Sequence, residues 1–142
     1  MSLASIGVRT TVATITTASV QLLATAAVKF RLLECSYVQT VGTAQSVGLG
    51  RPAANGVTPG TTSTFQRDDS ADPACVTTAS LSFGTSPTAP TVYHRRWNSA
   101  ATIGVGIVWT FPRGLIVPVS GALVIFQITA GQLSDANFAI DE

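Results

Sequence analysis

Apolar and polar positions alternate with a period of two along most of the chain. From Arg9 to Thr17 the sequence RTTVATITT sets Val12, Thr14 and Thr16 on one face and Thr11, Ala13 and Ile15 on the other, the pattern of a strand rather than a helix. Residues 19–25 and 27–41 read the same way, with Lys29, Arg31 and Cys35 opposite Phe30, Leu32, Glu34 and Ser36. The alternation breaks at Leu32-Leu33, which predicts a bulge or a change of register there.

Residues 46–49 form a further short strand that runs into RPAANGVTPG, a turn region holding Pro52, Asn55-Gly56 and Pro59-Gly60. The most polar stretch, Gln66 to Pro73 (QRDDSADP), reads as a surface loop. Beyond it, residues 76–83, 91–97, 102–111, 115–119, 122–129 and 136–140 read as strands between Gly, Pro and Asn breakers. No segment sustains an apolar period of 3.6. The fold expected is all-β: one domain over 9–142, a jelly-roll-like sandwich or barrel, either of which hides strand edges. Val124, Phe126 and Ile128 are expected on one sheet's inner face, with Trp109 and Phe111 as large fillers. Residues 1–8 are small and nearly uncharged. They read as an N-terminal arm whose anchors onto a neighbour are Leu3, Ile6 and Val8.

Composition sharpens this picture. Only 11% of residues are charged, against about 25% in typical domains, while 20 threonines and 13 serines outnumber the 15 formal charges. Threonine suits a pleated, half-solvated surface, and scarce charge removes repulsion that keeps monomers apart. A net charge of +1 gives no long-range field for polyanions, so no nucleic-acid partner is expected. The one local basic group is Arg95-Arg96, beside His94 and Trp97. On a strand these neighbours point to opposite faces, which sends one arginine outwards and the other to the inner side or rim. With Leu3, Ile6 and Val8, this group (His94, Arg95, Arg96, Trp97) is the candidate assembly interface.

The residues for chemistry are sparse. His94 is the only histidine, and its flanking arginines would depress its proton affinity. No nucleophile elbow, phosphate loop, HExxH or CxxC occurs. Ile103-Gly104-Val105-Gly106 lacks a following helix, so its glycines read as marks of close backbone approach. Cys35 and Cys75 read as small buried hydrophobes rather than metal ligands. Asp68, Asp69 and Asp72 could offer oxygens to calcium, but the spacing lacks the glycine and terminal glutamate of an EF-hand. No catalytic residue, cofactor or metal site is therefore expected. The run from Thr11 to Val28, ending near Ala24-Thr25-Ala26, imitates a signal peptide, yet four threonines interrupt its first half and it reads as mature structure. No stretch reaches the 18 apolar residues of a membrane span.

GRPAANGVTP (Gly50 to Pro59), the Arg95-Arg96 pair, IGVGIVWTFPRGLIVP (Ile103 to Pro118) and Asp141-Glu142, taken in order, resemble small phage and prophage virion proteins. These are β-sandwich proteins that decorate or cement icosahedral heads, commonly as trimers. The resemblance implies a non-enzymatic role in the virion, assembly in the bacterial host cytoplasm, and two partners: further copies of the chain as a homotrimer, and the major capsid protein or another virion protein. The alternative reading is a tail, baseplate or fibre module that binds a receptor or carbohydrate, with Trp97, Tyr93 and Tyr37 as exposed platforms for sugar rings.

Overall fold

The period-two pattern becomes eleven strands in the computed structural model, which describes residues 2–11, 17–129 and 132–142. They are β1 (Leu3–Arg9), β2 (Ala18–Leu23), β3 (Phe30–Gln39), β4 (Ser46–Gly50), β5 (Val57–Thr64), β6 (Gln66–Arg67), β7 (Thr78–Thr85), β8 (Tyr93–Asn98), β9 (Gly106–Val117), β10 (Ala122–Gln127) and β11 (Ser134–Asp141). One sheet has the order β6-β1-β11-β3-β9 and the other β5-β7-β2-β10-β4-β8. All pairings are antiparallel.

The pairs β1·β11, β2·β10, β3·β9 and β4·β8 nest within one another, as in a long two-stranded ribbon rolled up on itself. Rolling it gives β1-β11-β3-β9 packed on β2-β10-β4-β8, the eight-stranded order of a jelly roll. Between the sheets lie Leu22, Phe30, Leu32, Tyr37, Leu49, Trp109, Leu123, Ile125, Phe138 and Ile140. The bulge expected at Leu32-Leu33 is present: β3 changes register between Leu32 and Glu34 against β9, and β11 shifts opposite the same place. Leu33 is the extra residue, and it lets Leu32 and Cys35 both face inwards while Glu34 faces solvent.

Residues 51–92, between β4 and β8, are an excursion to the far side of the sandwich. β7 and β5 extend one sheet beyond β2, and β6 extends the other beyond β1. The chain crosses the outer face of the β2-β10-β4 region on the way out and again on the way back. The two crossings bond to each other through Thr88 N–H and the Ala54 carbonyl, 3.0 Å. They bond to the sheet beneath through Gly56 N–H to Gln21 Oε1, 2.8 Å, and Ala18 N–H to Ser86 Oγ, 3.1 Å. Pro87 and Pro90 are buried beneath this cover. A Cβ on Gly50 would lie 2.7 Å from Pro90, so glycine lets the returning segment lie flat on the sheet.

Several expectations change. Residues 3–9 are not an arm: β1 pairs with β11 over its whole length, from Leu3 opposite Asp141 to Arg9 opposite Asp135, because Ala4, Ile6 and Val8 alternate inwards as core residues do. Val124 and Phe126 do not line the space between the sheets. They face outwards with Ala18 into a second apolar cluster, while Leu123 and Ile125 take the inner face. Ile128 lies just past the end of β10. β10 is buried on both faces, so alternation of apolar with polar residues could not reveal its inner side. Most of the strand expected over Arg9 to Thr17 falls on residues 12–16, outside the described residues.

Candidate functional site

β8 forms one edge of its sheet and carries His94, Arg95, Arg96 and Trp97. Leu49 pairs with Arg95 but the next residue, Gly50, pairs with Tyr93, so His94 is the extra residue of a bulge. The bulge turns Tyr93 onto the outer face, where it packs on the cluster of Ala18, Val124 and Phe126. Gly48 provides the room, since a Cβ there would come within 2.3 Å of the Tyr93 ring. Arg96 follows Tyr93 to the outside, its guanidinium carbon 5.6 Å from the ring centre. Arg95 takes the opposite side and lies over Phe111 of β9, 5.3 Å from that ring. The expected division of the arginine pair between two faces is thus present, with both side chains exposed and Arg95 at the rim. Trp97 is half-buried and meets the fully buried Tyr37 edge-on, so one side of its ring packs against the core.

β9, the edge of the other sheet, runs alongside. Leu32 pairs with Leu115 and Glu34 with Thr110, so the single residue Leu33 on β3 faces four residues of β9, Phe111 to Gly114. This pouch is closed by Gly114 at a φ of 67°, a left-handed turn where a Cβ would also press within 2.9 Å of the Arg31 side chain. The pouch and β8 enclose a groove of about 390 Å³ floored by Phe111, Pro112 and Leu115 and flanked by Arg95 and Arg113. Arg51 joins the same edge by donating from Nη2 to the Ile116 carbonyl, 2.6 Å. Burial, then Arg51 and Arg95, hold the His94 pKa below its ordinary value, so His94 adds little positive charge at neutral pH. Among the described residues Arg51, Arg95, Arg96 and Arg113 have no carboxylate partner, and the one ion pair is Arg9 with Asp135, 2.8 Å.

The carboxylates stand elsewhere. β6 holds the start of the acidic loop against β1, Asp68 N–H donating to the Leu3 carbonyl at 2.8 Å and Asp68 Oδ1 accepting from Ser5 Oγ at 3.2 Å. Asp69 Oδ1 accepts from the Ala71 N–H at 2.8 Å, and Arg67 donates to the Asp72 carbonyl. The aspartates thereby shape their own turn, and no group of three metal-ligating side chains assembles among the described residues. Of the other proposed interface residues, Leu3 is 51% exposed, whereas Ile6 and Val8 pack on the core. They lie on β1 and β8 lies on the other sheet, so the fold does not bring the two groups together.

Cys35 and Cys75 are free and buried. Burial raises the Cys35 thiol; burial and a 3.1 Å bond to Glu142 raise that of Cys75 to about 12, so neither is a thiolate at neutral pH. Glu142 also accepts the N–H groups of Val76, 2.9 Å, and Thr77, 2.8 Å. On the outer face of the β1 sheet, Glu34, Ser63, Gln66 and Asn137 border an open depression of about 610 Å³. Sequence reasoning singled out Arg95 and Arg96 but missed Arg51 and Arg113. Those two are distant in the chain: Arg51 follows β4, the neighbour of β8, and Arg113 lies on β9, which meets β8 across the sandwich where Arg95 covers Phe111.

No family model, curated protein or solved structure matches the chain. Among the described residues no helix is long and apolar enough to cross a membrane.

Proposed function

We propose that this chain is a non-enzymatic virion structural protein, a decoration or cement protein that binds and stabilises a bacteriophage head lattice as a homotrimer. Its partner in this reading is the major capsid protein, and its location is the virion, assembled in the host cytoplasm. The observation that carries the reading is the eight-stranded jelly-roll order, an architecture common in capsid proteins. Support comes from the surface: β5 is uncharged and exposed along nearly its whole length, and the β8/β9 edge offers arginines with no carboxylate of their own. Both are features of a surface completed by a neighbour.

A tail or fibre module that binds carbohydrate is the second reading, favoured by the open depression with its hydrogen-bonding rim. It is weakened by the aromatic residues, because Tyr37 is fully buried, Trp97 packs on it, and Tyr93 covers Gly48. Purified protein mixed with undecorated heads of its own phage should co-sediment with them and raise the temperature at which they rupture. Heads that neither bind the protein nor gain resistance would refute the cement role, and selective glycan binding would favour the second reading.

A further inference from the structure

The net charge of +1 conceals a separation of charge. Arg51, Arg95, Arg96 and Arg113 gather at the β8/β9 edge, while Asp68 and Asp69 stand exposed and Asp72 half-buried at the β6 edge. In the β6-β1-β11-β3-β9 sheet these edges are four strand spacings apart, about 19 Å. Within one chain the two groups therefore cannot neutralise each other. We infer that the groove between β8 and β9 receives the acidic loop, Gln66 to Pro73, of a second copy of the chain.

Three features support this occupant. The groove has an apolar floor of Phe111, Pro112 and Leu115 with guanidinium groups on its flanks, so it suits a short turn that carries carboxylates. The loop is exposed, except for a half-buried Asp72, and its backbone is held out by Asp69 and Arg67 rather than being free to collapse onto the sheet. The excursion that forms β5, β6 and β7 extends both sheets on its own side and leaves β8 and β9 as the opposite edges. Contact between two different patches is heterologous, the kind that builds rings or extended arrays rather than two-fold dimers. The inference rests on the self-association proposed above and names the surfaces that carry it.

Charge reversal on each side separates the possibilities. The wild-type protein should associate in sedimentation velocity and weaken as NaCl screens the contact. Arg95→Glu with Arg113→Glu should raise the dissociation constant by about 100-fold or more, as should Asp68→Lys with Asp72→Lys, because like charges then face each other. Circular dichroism and thermal melting would check that each variant is folded. Combining all four substitutions in one chain should restore association, since the contact is again complementary with its signs exchanged. A wild-type protein that stays monomeric at every concentration would refute self-association altogether. An oligomer indifferent to both pairs of substitutions would refute only this contact, and so would one that the arginine variants break but the fourfold variant does not restore. That last pattern would mean the arginines serve another anionic partner or only guard an open strand edge.

Discussion

Trp97 and Tyr37 meet edge to face, their ring centres 6.3 Å apart and their planes at 71°, and so tie the edge strand β8 to a fully buried side chain of β3. The contact spans the two sheets. Such a pair adds about 0.5–1.5 kcal/mol beyond the area it buries. Trp97→Ala should therefore lower the melting temperature, by a loss of about 3 kcal/mol, towards the lower end of what truncating a buried tryptophan costs. Trp109→Ala, buried on the edge strand β9 opposite Cys35, should cost about 3–5 kcal/mol. Paired thermal melts check the order; a Trp97 variant that melts like the wild type would show that β8 is held by its backbone alone.

The packing of Trp97 on Tyr37 marks the boundary between what the sequence discloses and what it does not. Strand character, the bulge at Leu33 and the core position of Trp109 are legible in the local pattern of the chain, and its length is that of a single domain. The face of β8 is not, because the bulge at His94 shifts the alternation by one residue and leaves no local mark in TVYHRRW. β1 resembles an arm for a different reason: its inward residues Ala4, Ile6 and Val8 are few, and only the long-range pairing with β11 packs them on the core. The first half of β5 reads as turn because Pro59-Gly60 interrupt it, yet an exposed edge strand tolerates proline. The arginine edge joins residues 51, 95 and 113, whose proximity comes from the β4·β8 pairing and the packing of β9 on β8 rather than from spacing.

Gly48→Ala should destabilise the protein by about 1–3 kcal/mol, since the added methyl overlaps the Tyr93 ring and forces it off the sheet. The added cost should mostly vanish in a Tyr93→Ala background, where the ring is gone. A double-mutant cycle by urea unfolding measures this coupling; strictly additive losses would place the strain elsewhere.

Gln39 is fully buried and its Nε2 donates to the carbonyls of Val41, 2.5 Å, and Thr43, 2.7 Å, which pins the turn that leads into β4. Gln39→Leu keeps a similar volume but strands both acceptors. The expected loss is about 1–2 kcal/mol, because Val41 is half-buried and Thr43 exposed, so water takes over part of what their carbonyls lose. Faster amide exchange over residues 40–46 should accompany it, and unchanged exchange there would contradict the pinning role.

The last prediction concerns acid. Burial alone would raise the Glu142 pKa, but hydrogen bonds from Thr77, Val76 and Cys75 outweigh it and hold the carboxyl below its ordinary value of 4.5. A carboxyl depressed in the folded state binds its proton more readily when unfolded, so it contributes stability above the unfolded pKa. That contribution falls away as the pH drops through the folded pKa. Asp135, lowered by its bond to Arg9, adds a second acid-sensitive term, so the wild-type curve alone would mix the two groups. Subtracting a Glu142→Gln variant isolates the first, because Asp135 is common to both proteins. Glutamine can still accept one of the amide bonds but loses the charge, and the difference at pH 7 should be on the order of 1 kcal/mol. It should stay level down to about pH 5 and shrink towards zero below the ordinary carboxylate range. Chemical denaturation across pH 2.5–8 would measure it, and a difference that grew in acid would reverse the assignment of Glu142 as the charged clasp on residues 75–77.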